Sequence, residues 1–143
     1  MKVILDTNFL VYCAKEKIDY MDEIEQLFNE KIDVLVPIQV INELHSITRK
    51  KKLRIPLERR SARFKKTTGK DKEAAALAIQ MVEKYVFDGK IEKVNTEGKN
   101  VDDALLQLAQ REKHIVCTLD RELRGKLGRV ILINQYKKLM LTK

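Results

Sequence analysis

The sequence predicts an α/β fold built on a parallel sheet, and two patterns predict it. Short apolar runs rich in β-branched residues recur along the chain, and segments with helical spacing of apolar residues separate them. Composition agrees. Of 143 residues, 44% are apolar, enough for one good core in a single domain spanning 1–143, despite 35% charged residues.

Lys2 to Leu5 (KVIL) reads as a buried strand ended by Asp6. Asn8 to Lys15 and Met21 to Asn29 have helical spacing, with Ile24, Leu27 and Phe28 on one face of the second. Val34 to Val36 is a second strand closed by Pro37. Ile38 to Arg49 then repeats Val40, Ile41, Leu44 and Ile47 as a helical stripe. Pro56 suits the first turn of a short basic helix. Asp71 to Tyr85 contains AAALAIQMV, a strong helix that Gly89 breaks, and Ile91 to Val94 is a modest strand. Val101 to Glu112 is helical, His114 to Thr118 a strand, Arg121 to Lys126 a short helix and Val130 to Ile133 a fifth strand.

The first residues carry too short an apolar run for a signal peptide, and no stretch approaches membrane length, so a soluble, cytoplasmic protein with no membrane partner is expected. Cys13 and Cys117 stand in apolar surroundings without a CxxC and read as buried free thiols. The net charge of +8 is concentrated: between Arg49 and Lys72 lie twelve Lys or Arg against only Glu58 and Asp71, a local +10, which leaves the rest at −2. A solvated helix face needs fewer charges than this. The basic element around 49–72, with Lys50, Lys51, Lys52, Arg59, Arg60 and Arg63, is expected to meet a phosphate backbone, making RNA the expected partner.

Four acids fall at comparable places. Asp6 follows the first strand, Asp120 follows HIVCT by one residue, Asp102 opens the helix after the third strand, and Glu43 lies in the helix after the second. Ligands of parallel sheets collect at the carboxyl ends of strands. With Val101 as zero, Leu105, Leu108 and Ala109 centre at about 40°. Asp102 falls at about 100°, on the rim of that face, and Asp103 at about 200°, outward. Glu43 lies about 40° beside Ile47, also on a rim. Clustered carboxylates repel unless protons or cations intervene, and a set with no His or Cys is an oxygen-only site suited to Mg²⁺ or Mn²⁺. Such an ion activates water and neutralises charge on a phosphate. Each acid also has a plainer reading: Asp102 as a helix cap, Asp6 as a turn, Glu43 as helix surface, Asp120 as the cap of RELRGKL. His45 and His114 read as packing residues outside the site.

These residues together resemble the PIN-domain family. ILDTNFLV resembles its opening strand, with Asp6, Thr7 and Asn8; VPIQVINELHSI its second motif, with Glu43 and Leu44; and VDDALLQLAQREKHIVCTLDREL its third and fourth, with Asp102, Thr118 and Asp120. The resemblance runs from Lys2 to Ile133. It implies a Rossmann-like three-layer α/β/α sandwich with a central five-stranded parallel sheet, Mg²⁺- or Mn²⁺-dependent cleavage of single-stranded RNA, and a homodimer. Asp6, Glu43, Asp102 and Asp120 are then the catalytic and metal-binding acids, with Asn8, Thr118 and Asp103 auxiliary. The implied roles are a VapC-like toxin paired with a small antitoxin or an rRNA-processing nuclease; the alternative is a non-catalytic RNA-binding scaffold. TTGKDK is not a phosphate loop, because Phe64 stands where its first Gly belongs.

Overall fold

A computed structural model describes residues 1–49, 69–111 and 114–142. Chain order is β1 (Lys2–Leu5), α1 (Thr7–Lys15), α2 (Tyr20–Leu27), β2 (Asp33–Pro37), α3 (Ile38–Arg49), α4 (Gly69–Phe87), β3 (Ile91–Val94), α5 (Val101–Arg111), β4 (His114–Cys117), α6 (Arg121–Leu127), β5 (Val130–Ile133) and β6 (Leu139–Leu141). The short helix expected at Pro56 lies outside the described residues.

The sheet runs β3-β2-β1-β4-β5-β6. Its first five strands are parallel, and β6 is antiparallel to β5. Among the described residues the expected count of five strands is therefore corrected to six. The sixth forms because the Asn134 side chain accepts the N–H groups of Tyr136 and Lys138, while Lys137 adopts a left-handed φ of 59°. This turns the chain back on itself. Three residues, LML, flanked by Lys and Thr are too few for a strand period to show.

Connections run outward from β1 to β2 to β3, then restart on the other side with β4 and β5. Parallel crossovers are right-handed, so reversing direction moves the helices to the opposite face. Packing agrees: α4 lies on α1 and α3, whereas α5 packs on α6 and β4. The result is a three-layer α/β sandwich with its topological switch between β1 and β4.

Covered on both faces, the central strand reads as an unbroken apolar run, and Val3, Ile4 and Leu5 are all fully buried. At the edge, β3 buries only Ile91, which explains its weak pattern. Phe9 and Tyr20 meet edge to face at 6.0 Å, and Tyr20 meets Tyr85 likewise at 5.6 Å, pinning α1, α2 and α4 together. Gly89, at φ +76°, ends α4: its N–H donates to Val86 O, and that of Lys90 to Tyr85 O. Cys13 and Cys117 are buried and free. Among the described residues no helix is long and apolar enough to cross a membrane.

Candidate functional site

The parallel register pairs Leu5 with Cys117, so β1 and β4 leave the sheet side by side at the switch point. One further rung follows, from Asp6 N to Cys117 O at 3.0 Å. Asp6 is fully buried. Its Oδ1 accepts the Thr7 N–H at 2.7 Å, capping α1, and its Oδ2 accepts the Thr118 hydroxyl at 2.7 Å. Thr118 Oγ1 also accepts the Asp120 N–H at 3.1 Å. Asp120, half-buried, caps α6 through Oδ1, which accepts the N–H groups of Glu122 at 3.0 Å and Leu123 at 3.3 Å. One hydroxyl thus joins the two acids across the switch point, and two helix N-termini face them with favourable polarity. Burial pushes the neighbouring Cys117 thiol well above its ordinary value, with Cys13 and Asp6 adding to the effect, so it stays protonated beside the site.

The other acids come from α3 and α5, which touch. Val40, Ile41 and Leu44 are buried on α3, and Glu43 is half-buried at their margin. On α5, Asp102 is half-buried and Asp103 exposed, in agreement with the helical wheel. The α5 cap is Asn100, whose side chain accepts the Asp103 N–H at 2.9 Å. Asp102 therefore sits in the first turn without serving as its cap. Asn8, on the first turn of α1, is half-buried beside Asp6 in sequence.

Two contributors went unread in the sequence. Asn100 carried a usable signal, an Asn directly before an apolar residue and two acids. Gln39 carried none, being one polar residue inside VPIQVI. Its Nε2 donates to Thr96 O at 2.9 Å and to Gly98 O at 2.8 Å, tying α3 to the loop before α5.

The structure joins Asp6, Thr118 and Asp120 in one network and sets Glu43 and Asp102 on touching helices. Among the described residues no three His, Cys, Asp or Glu side chains form a group placed to hold a metal ion. Asp6 accepts from Thr7 N–H and the Thr118 hydroxyl, and Asp120 accepts from the N–H groups of Glu122 and Leu123. The donor set itself fits a hard cation. It is all oxygen, and a carboxylate oxygen that accepts one hydrogen bond keeps a second lone pair. Lys50, Lys51, Lys52, Arg59, Arg60 and Arg63 lie outside the described residues.

A sequence model of the PIN like domain matches residues 3–134. The chain belongs to the PIN-domain family. This PIN domain is 31% identical over 127 residues to Ribonuclease VapC4 of Methanocaldococcus jannaschii, a match covering 88% of this chain and 82% of the relative. The solved structure of the PIN domain endonuclease Utp24 superposes with a TM-score of 0.68 at 19% identity, covering 98% of this chain and 90% of the other. A chain of VapBC2 from Rickettsia felis, solved bound to a DNA fragment from their promoter, matches with a TM-score of 0.53 at 17% identity, covering 94% and 98%. At such identities the two structures speak to the fold, and the fold is that of a PIN domain.

Proposed function

We propose that this PIN domain is a metal-dependent endoribonuclease that hydrolyses phosphodiester bonds of single-stranded RNA, with Asp6, Glu43, Asp102 and Asp120 holding Mg²⁺ or Mn²⁺. The observation that carries this reading is the Asp6–Thr118–Asp120 network at the switch point, in a chain 31% identical to a relative named a ribonuclease. When bound, the cation supplies an activated water and charge neutralisation on the phosphate. The chain's own residues orient and enclose. Thr7 N–H and the Thr118 hydroxyl hold the Asp6 carboxylate in one orientation, and the surrounding core keeps bulk water from it. Glu43 and Asp102, half-buried on the touching helices α3 and α5, would complete the set, with Asn8 and Asp103 auxiliary.

The basic element around 49–72 is assigned to the RNA backbone. The name of the curated relative favours the VapC-like role over rRNA processing, and that role would bring a homodimer and a small antitoxin partner. A second reading has one observation behind it. The lack of a ready metal-holding group among the described residues fits an RNA-binding scaffold without cleavage. End-labelled single-stranded RNA separates the two. The nuclease reading expects cleavage with Mg²⁺ or Mn²⁺ and none with EDTA. RNA binding without cleavage under every metal condition would establish the scaffold, and full cleavage in EDTA would remove the metal from the mechanism.

A further inference from the structure

We infer that Gln39 is a positioning residue that fixes the spacing between Glu43 and Asp102; the effect on metal affinity rests on the nuclease reading, the effect on spacing does not. Gln39 is the second residue of α3, and Glu43 lies one turn on, about 40° around the helix. The Gln39 amide bridges from α3 to the segment entering α5, with both Nε2 hydrogens spent on the carbonyls of Thr96 and Gly98. That segment is pressed against α5. A Cβ on Gly98 would lie 2.5 Å from Ala104 N and 2.8 Å from Ala104 Cα, in the turn that also carries Asp102. Asn100, in the same segment, caps that turn. One side chain therefore links the helix bearing Glu43 to the loop that places Asp102.

The clamp has a cost as well as a gain in stability. Gln39 Oε1 and Thr96 Oγ1 are both buried without a hydrogen-bond partner among the described residues, and buried polar atoms left unsatisfied are costly and rare. An apolar side chain at position 39 would remove one of them, at the cost of the donor to the carbonyls of Thr96 and Gly98. A polar residue here, between two helices with half-buried carboxylates, fixes geometry at a partial cost in unsatisfied polar atoms.

The test uses Gln39→Leu, which keeps much of the volume and loses both donors, and Gln39→Glu, which sets a carboxylate against two carbonyls. Spin labels go on Asn42→Cys and Lys99→Cys, both exposed positions. Cys13 and Cys117 stay unlabelled because they are buried with raised thiol pKa values. The expected result is a narrow distance distribution with Gln39 present and a shifted or broadened one in both variants. Mn²⁺ affinity by calorimetry should fall about 10–100-fold, the range for groups that orient metal ligands, with only a small drop in Tm. An unaltered distribution in Gln39→Leu overturns the inference, as does unaltered Mn²⁺ affinity when the wild type binds Mn²⁺. A wild type that neither binds Mn²⁺ nor cleaves RNA sinks the nuclease reading instead, and the label pair still decides whether Gln39 sets the spacing.

Discussion

The Thr118 hydroxyl donates to Asp6 Oδ2 at 2.7 Å across 112 positions of sequence, and the same oxygen accepts the Asp120 N–H. Beyond the last backbone rung, from Asp6 N to Cys117 O, one atom thus ties together the chains leaving β1 and β4. Thr118→Val keeps the shape and leaves a buried carboxylate oxygen and an N–H without this partner. We expect a stability loss of about 1.5–3 kcal/mol, the range for a hydrogen bond to a charged group, with a steep loss of cleavage. Thr118→Ser should restore most of both. Urea denaturation beside single-turnover cleavage provides the check, and a Val variant at wild-type levels in both would show the bond to be incidental.

Asp6→Asn separates chemistry from folding. Asn caps a helix as well as Asp does, so the bond from Thr7 N survives, and the Thr118 hydroxyl can still pair with the amide. The fold should persist with equal or higher stability in EDTA, since a carboxylate charge is gone. Cleavage should fall by more than the roughly 10–100-fold typical of groups that merely orient metal ligands. Asp102→Asn should follow Asp6→Asn, while Asp103→Asn should do far less, because Asp103 is exposed and Asp102 half-buried. Equal losses for the two α5 variants would reassign the third acid.

Alkaline pH should destabilise the protein in two steps. Burial raises the thiols of Cys13 and Cys117 from their ordinary 9.0, and the phenols of Tyr20 and Tyr85 from 10.0, with Tyr85 pushed up to about 12 by burial and then by Asp19. A group whose folded pKa is raised holds its proton more tightly in the native state. The stability it contributes is whole below the unfolded pKa and is lost as pH rises past it. Denaturation free energy should therefore be unaffected by these groups at pH 7, decline from about pH 9 and steepen past about pH 10. Replacing both cysteines with Ala should erase the first limb and spare the second. A profile in which the double variant declines from the same pH as the wild type would contradict the assignment.

How much was legible in the sequence depended on whether the signal was local. β1, with three consecutive apolar residues, and α5, with apolar residues at helical spacing, were readable because burial stamps its period on the chain. The acids at strand ends were readable for the same reason, since finding the strand finds its end. Strand order is a different kind of fact: nothing in KVIL says that its neighbours are β2 and β4. Thr118 could be marked as auxiliary, but its partner lay 112 positions away. Gln39 was silent because its partners are backbone carbonyls, which every residue type supplies. The sheet lost its sixth strand in the reading because LML is shorter than any period that could reveal it.

The basic element yields a prediction from charge alone. If Lys50, Lys51, Lys52, Arg59, Arg60 and Arg63 contact phosphates, binding releases condensed counterions, and affinity falls with salt at a log–log slope of roughly 0.7 per phosphate neutralised on a single strand. Replacing Lys51, Arg59 and Arg63 with Gln should flatten that slope by about two units and raise the apparent KM. Turnover at saturating RNA should change little, because contacts made equally in ground and transition states affect binding without touching the chemical barrier. The competing reading makes this element a contact between subunits or with an acidic partner protein. It expects the salt slope to stay at the wild-type value while oligomeric state or partner binding changes. RNA affinity across a salt series, with sedimentation of the same samples, tells the two apart. A wild-type slope in the triple variant would take the element out of the RNA path, even if the variant had lost its partner.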